Sequence, residues 1–237
     1  MFLLIWESSN SNIHGGSIFL TSSLITFWFC SFKFNNFSIN VHEYDSTIEG
    51  GLIYVYKTHF DNFDCLYTNN MFILNIAIAI DINSIAIYFD SSNGTIHECL
   101  FTNNIIQSLN RPDIFINGFS LCFSSSNYTI YRTNFINNSA LIEAYDNTIN
   151  YHGEIYFVSS ICTFKFCIFN DIFDSLISYN LIQGVYVSIY HSKGILDNCI
   201  FYNNQINEIS IQKTIINGII YFQYLSNPLS INLLPCF

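Results

Sequence analysis

The chain has 237 residues and a formal net charge of −10; 51% of it is hydrophobic, 18% aromatic and only 10% charged. This excludes intrinsic disorder, which needs low hydrophobicity and high charge, and a collagen-like chain, because Gly (10) and Pro (3) are scarce. It also excludes a basic nucleic-acid binder, because 7 Lys and Arg cannot neutralise many phosphates.

Taken in chain order, Met1 to Trp6 is apolar but short. No basic residue precedes it and Glu7 comes at once, so no signal peptide is visible. Ile (40 copies) and Asn (30 copies) dominate the composition, and strand formers outweigh good helix formers. Met71 to Phe89 is the stretch that raises the membrane question. It contains Asn75, Asp81, Asn83 and Ser84, and Ile76, Ile78, Ile80 and Ile82 alternate as in a strand. No transmembrane span is expected.

One motif recurs along the whole chain. Segments starting at Cys30, Cys65, Cys99, Thr133, Cys167 and Cys199 are spaced by 35, 34, 34, 34 and 32 residues. Two residues on stands an aromatic: Phe32, Tyr67, Phe101, Phe135, Phe169, Phe201. Three further on stands Asn35, Asn70, Asn104, Asn138 and Asn204, with Ile172 as the exception. A second motif keeps phase with it: Gly before a short apolar strand, at Gly16, Gly51, Gly118, Gly153, Gly184 and Gly218, with Ser84 in the Gly place. Strands returning every ~34 residues with the same chemistry predict one coil of a parallel β-helix per repeat. About six or seven coils are expected, as an all-β, pectin-lyase-like solenoid in a single domain over 1–237. Repeats run from about 13 to 224, and 1–12 and 225–237 are end segments.

Stacking of successive coils about 4.8 Å apart turns each recurring residue into a ladder. The aromatics fill the lumen, the Asn amides bond coil to coil, and the Cys positions supply small buried groups, with Thr133 as a near isostere. Phe27, Ile96, Ile130, Phe164 and Leu196 lie three residues before the Cys positions, with Asn62 as the exception, and a gap of three breaks period two. A corner or bulge is therefore expected there. Gly supplies positive φ where its strand begins. Ile18, Ile53, Ile155 and Ile220 should face inward, and Glu154, a lone carboxylate, should face out.

These motifs resemble the repeats of the polymorphic outer-membrane protein family, which also occur in large protist surface proteins. The first motif stands as Phe32-Lys-Phe-Asn35, Phe101-Thr-Asn-Asn104, Phe135-Ile-Asn-Asn138 and Phe201-Tyr-Asn-Asn204; the second as Gly15-Gly16-Ser17-Ile18 and Gly50-Gly51-Leu52-Ile53. The resemblance implies a right-handed helix, display at the cell surface or outside the cell, and an adhesive or scaffold function. Its partners would be host or cell-surface proteins or glycans.

The competing function is a polysaccharide lyase or hydrolase on the same fold. That chemistry needs several carboxylates on neighbouring coils with Arg or Lys for acidic sugars. Asp61 and Asp64 lie close to Glu98 only if the coils stack, the only two Arg are Arg111 and Arg132, and a carboxylate and an Arg do not recur at one repeat position. A net charge of −10 also repels a polyanion. No catalytic residue, cofactor or metal is expected. His14, His42, His59, His97, His152 and His191 form no His-x-x-x-His pattern, and there is no Cys-x-x-Cys. Stacked ladder cysteines would lie within bridging distance, but their parallel Cβ vectors are poor disulfide geometry, so they read as buried free thiols; Cys162 with Cys167 is a further alternative pairing. Asn36, Asn93, Asn127 and Asn137 open glycosylation sequons that matter only after secretion. Neither end reads as a polar cap. The chain is therefore expected to be a piece of a longer solenoid, without independent function in the third reading, or to fold its apolar ends back as plugs.

Overall fold

A computed structural model describes residues 3–8, 12–14, 18–33, 35–41, 46–76, 80–108, 114–143, 149–151, 153–170, 172–177, 181–183, 187–209, 215–217, 220–223 and 230–233. All the strand pairings found there are parallel and join one coil to the next. The second coil shows the plan. Asn36–Val41, Ser46–Glu49, Ile53–Tyr56, His59–Phe63 and Leu66–Thr68 come one after another, and Met71–Ile76 returns beneath Asn36–Val41. We call the sheets that these five strands join I to V. Among the described residues sheets I, II and III each have seven strands. Sheets IV and V merge through Lys193–Tyr202, which runs continuously for 10 residues. Leu3–Ser8 pairs with Asn36–Val41, and Ser230–Leu233 pairs with Lys193–Tyr202, so strands also occur in the segments expected to be ends. The architecture is an all-β, stacked-coil parallel β-solenoid.

The register repeats the motif spacing. Tyr67 lies opposite Phe32 and Phe101, and Ile87 opposite Ile53 and Leu121. Residues alternate in and out along sheet IV, so Phe60 and Asn62 are buried between exposed or half-buried His59, Asp61 and Phe63.

The corners break this alternation, and they share one grammar. Between sheets III and IV, Lys57, Ser91, Ser125, Ser159 and His191 take φ of 49, 52, 50, 51 and 49°. Between IV and V the left-handed residues are Phe29, Asp64, Glu98, Arg132, Phe166 and Asn198; between V and I they are Asn69, Asn103, Asn137 and Asn203. A left-handed conformation costs roughly 1–2 kcal/mol for a residue with a Cβ. The next residue offsets that cost by turning a small polar side chain inward. Cys99, Ser92 and Asn104 are such residues, each buried.

Between sheets II and III the left-handed residues are Gly50, Ser84, Gly118 and Gly153. The corner glycine of the second coil is therefore Gly50 and not Gly51, and the steps to Ser84 and Gly118 become an even 34 and 34. A Cβ on Gly50 would lie 2.0 Å from the Ile53 carbonyl oxygen. The expectation that Glu154 faces out is also corrected, because Glu154 is fully buried. It occupies the slot of Leu52, Ala86 and Ser120, and the Ser120 N–H donates to its carbonyl at 2.8 Å. At this bend two consecutive residues point inward, as Ser120-Leu121 and Glu154-Ile155 do. Ile53 and Ile155 are buried and Ile18 is half-buried; the side chain of Ile220 lies outside the described residues.

Candidate functional site

The aromatic positions form one continuous stack through the lumen. Ring centroids are 4.9 Å apart for Phe32–Tyr67, 4.5 Å for Tyr67–Phe101, 5.1 Å for Phe101–Phe135, 4.9 Å for Phe135–Phe169 and 4.5 Å for Phe169–Phe201. All five pairs lie within 12° of coplanar. Phe32 and Phe201 are half-buried and the four rings between them are fully buried. The two exceptions of the second coil explain each other. Asn62 stands where the other coils have an apolar residue, and its Nδ2 donates at 2.9 Å to the hydroxyl of Tyr67, the one ladder ring with a polar tip.

The Asn positions are joined by their amides. Asn35 Nδ2 donates to Asn70 Oδ1 at 2.8 Å, Asn70 to Asn104 at 2.9 Å, and Asn104 to Asn138 at 3.0 Å. The second hydrogen goes to the carbonyl of a ladder aromatic: Asn70 to Phe32, Asn104 to Tyr67, Asn138 to Phe101 and Asn204 to Phe169. At Ile172 this chain of amides stops. The Ile172 backbone keeps its place, donating to Asn204 Oδ1 at 2.9 Å, but its side chain cannot accept from Asn138. The carboxyl of Glu154 does so instead, accepting from Asn138 Nδ2 at 2.8 Å and bonding to the Ser120 hydroxyl. Glu154 therefore substitutes for the missing amide.

The Cys positions serve the corner between sheets IV and V. Cys65 accepts from the Cys30 N–H at 3.2 Å and donates its S–H to the carbonyl two residues back, Phe63, at 3.3 Å. Cys99, Cys167 and Cys199 contact their corner carbonyls at 3.5, 3.5 and 3.7 Å, and the Thr133 hydroxyl does so at 3.2 Å. Cys30 is half-buried; the others and Thr133 are buried. All seven described cysteines, Cys122, Cys162 and Cys167 included, are free thiols. Burial and the neighbouring thiol hold Cys30 above the usual thiol range. The hydrogen bond from Cys99 draws Cys65 down to about 7, against the upward effect of burial.

A fourth ladder was not singled out from the sequence. Thr58, Ser92, Ser126, Ser160 and Ser192 cap the corner between sheets III and IV. The backbone N–H of each of the first four donates to the next hydroxyl oxygen, at 3.2, 3.1, 3.0 and 2.8 Å. Each hydroxyl donates to the carbonyl two residues back, as Ser126 does to Ser124 at 2.7 Å. The Ser-Ser pairs recurring every 34 residues were its signal.

The outer face of sheet IV carries the exposed chemistry. An open groove of about 510 Å³ is lined by His59, Ser91, Ser92, Asn93, Gly94, Thr95, Ser125, Asn127 and Thr129. The His59 ring bonds to Asn93 and, at 3.1 Å, to Asp61. The Asn93 contact first, then the Asp61 charge, raises its pKa above the ordinary value. Asp61 also accepts from the Thr95 N–H at 2.9 Å. Beside the groove Trp28 stacks on Phe63 at 4.4 Å and His97 on Tyr131 at 5.0 Å.

The carboxylates weighed for catalysis are divided between two places. Asp61 belongs to this sheet. Contrary to the expectation that a carboxylate and an Arg share no repeat position, Asp64, Glu98 and Arg132 occupy the same corner position on successive coils, and Arg132 pairs with Glu98 at 3.2 Å with both side chains exposed. An exposed pair contributes about 0–1 kcal/mol. Arg111 lies outside the described residues, as do His42 and His152. Among the described residues no group of three or more His, Cys, Asp or Glu is placed to hold a metal ion. No helix among them is long and apolar enough to cross a membrane.

The class defined by this geometry is a parallel β-solenoid with a ladder-filled lumen. No protein-family model matches the chain, and neither a curated protein nor a solved structure matches it.

Proposed function

We propose that this chain is a non-catalytic surface solenoid, adhesin-like or structural, built as a single right-handed β-helix of six or seven coils and similar to the polymorphic outer-membrane protein repeats. One observation carries the reading: the interior repeats while the exterior varies. The lumen holds the same aromatic, amide, hydroxyl and thiol from coil to coil. On the outer face of sheet IV the equivalent positions are Leu24, His59, Asn93, Asn127, Ile161 and Lys193. A rod that keeps its core constant and varies its face is suited to presenting a long binding surface. The hydroxyls, amides and imidazole of the sheet IV groove suit a host or cell-surface glycan or protein, as each can donate or accept.

The test is surface labelling of intact cells with a membrane-impermeant reagent, then binding of the purified chain to cells with and without Asn93→Ala and Asn127→Ala. Labelled chain and binding weakened by the substitutions are expected. A strictly intracellular chain would overturn the reading.

A further inference from the structure

The thiol column is buried except at its first member, Cys30. Ser31–Lys33, directly after Cys30, forms the edge of sheet V among the described residues. Cys30 is half-buried there, whereas Cys65, Cys99, Cys167 and Cys199 are at most 1% exposed. The Cys30 N–H donates to Cys65 Sγ at 3.2 Å, and burial with the neighbouring Cys65 thiol raises the Cys30 pKa. Their coils are in register, Ser31 opposite Leu66. Adjacent strands are about 4.8 Å apart, inside the roughly 4.4–6.8 Å range of Cα separations in disulfides. Side chains in register run parallel, so bridging needs the two Cβ atoms to close by a fraction of an ångström to about 1 Å. An edge coil meets that need by a small shift. An interior pair such as Cys65 and Cys99 is held by strands on both sides.

We propose that Cys30 and Cys65 form a thiol pair that a small disulfide oxidises to a bridge between the first two coils, while the deeper thiols stay reduced. The chemistry balances with oxidised glutathione as the oxidant. Cys30, the accessible sulfur, attacks as thiolate, forming a mixed disulfide and releasing one glutathione thiolate. Cys65, its proton lost to solvent, attacks Cys30 Sγ; the Cys30–Cys65 bond forms and the second glutathione thiolate leaves. The chain gives up two electrons and two protons, and one oxidised glutathione becomes two reduced molecules. Cys65 is suited to the second step because the hydrogen bonds it accepts favour its thiolate.

The experiment exposes the folded, reduced full chain to oxidised glutathione, blocks remaining thiols with an alkylating reagent and maps peptides without reduction. Expected are a peptide joining Cys30 to Cys65 and unmodified Cys99, Cys167 and Cys199 that alkylate only after unfolding. Cys65→Ser should stop at a glutathione adduct on Cys30, and Cys30→Ser should leave the other six described cysteines of the folded chain unreacted. Serine preserves the corner bond, as it does between sheets III and IV, so both variants are expected to keep the wild-type circular dichroism spectrum. If wild type and Cys65→Ser both stop at the adduct, or if Cys30 reacts no faster than Cys99, the proposal is wrong. Should a variant lose the native spectrum, the wild-type peptide map alone decides.

Discussion

If Glu154 substitutes for the amide missing at position 172, the two sites must be energetically coupled. Glu154→Ala removes the acceptor of one Asn138 N–H and the partner of the Ser120 hydroxyl. Both groups are buried, Asn138 at 0% and Ser120 at 1% exposure. An unsatisfied buried polar group costs about 1–3 kcal/mol, so the loss from the two is roughly 2–6 kcal/mol, reduced by whatever burial of the carboxyl itself costs. Ile172→Asn alone places an amide where Glu154 already accepts, and it also gives up buried apolar area. In the double variant the introduced amide can accept from Asn138 and donate to Asn204 Oδ1, which already holds the backbone N–H of position 172. The double variant should recover about 1–3 kcal/mol of the Glu154→Ala loss. Glu154→Gln, which keeps an acceptor and gains a donor, should stay within about 1 kcal/mol of wild type. Urea denaturation of wild type, the two single variants and the double variant measures the coupling. Additivity within about 0.5 kcal/mol would refute the substitution argument.

Single contacts give three further tests. Tyr67→Phe should cost about 1–3 kcal/mol by leaving the Asn62 Nδ2 without its acceptor; Tyr67→Phe with Asn62→Ile restores the pattern of the other coils and should return to near wild type in the same denaturation assay. Gly94→Ala should lower the thermal midpoint clearly, since Gly94 has φ of 151° and a Cβ would lie 2.0 Å from the Phe60 carbonyl oxygen; a variant of unchanged midpoint would contradict the packing of this strand. The His59 ring should titrate above about 6.5 by NMR, and Asn93→Ala should lower it. With a raised folded value, the stability that His59 contributes is complete below its unfolded pKa and fades as pH rises through the folded one.

The coil was legible because its ladders demand the same residue at the same height. Phe101 and Asn104 recur at 34-residue steps since a stacked ring or amide has one kind of best neighbour, another of itself. What the repeat could not convey was the sense of each bend. Gly50 and Gly51 are equivalent as letters, and only the φ of 61° at Gly50 decides which one turns the corner. Glu154 is buried despite the cost of burying a lone carboxylate because Asn138 and Ser120 hydrogen-bond to it. Period-two reasoning assigns alternate faces, but at this corner Glu154 and Ile155 both point inward. The Ser ladder escaped notice because Ser-Ser reads as a generic turn, and the distinction between its outward first residue and its inward second residue lies in backbone conformation.

The exceptions to the repeat are the parts of this sequence that carry most structural information. Two of these exceptions are met by a second exception close by, as buried polar groups generally need a partner. Asn62 is answered by Tyr67 in its own coil, and Ile172 by Glu154 from the neighbouring corner. Such pairs fix register: sliding one coil by a residue would strand a buried amide or carboxyl, whereas an all-Phe, all-Ile lumen would slide at less cost. The low charge belongs to the same logic. Sheet III is buried on both faces over much of its length, with Tyr54, Tyr88 and Cys122 packed together on the face turned away from Ile53, Ile87 and Leu121. Among the described residues most corner carbonyls and N–H groups are satisfied by neutral hydroxyls, thiols and amides, with the Glu154 carboxyl as the exception. Half of the residues can then be apolar in a chain whose described residues form no helix able to span a membrane.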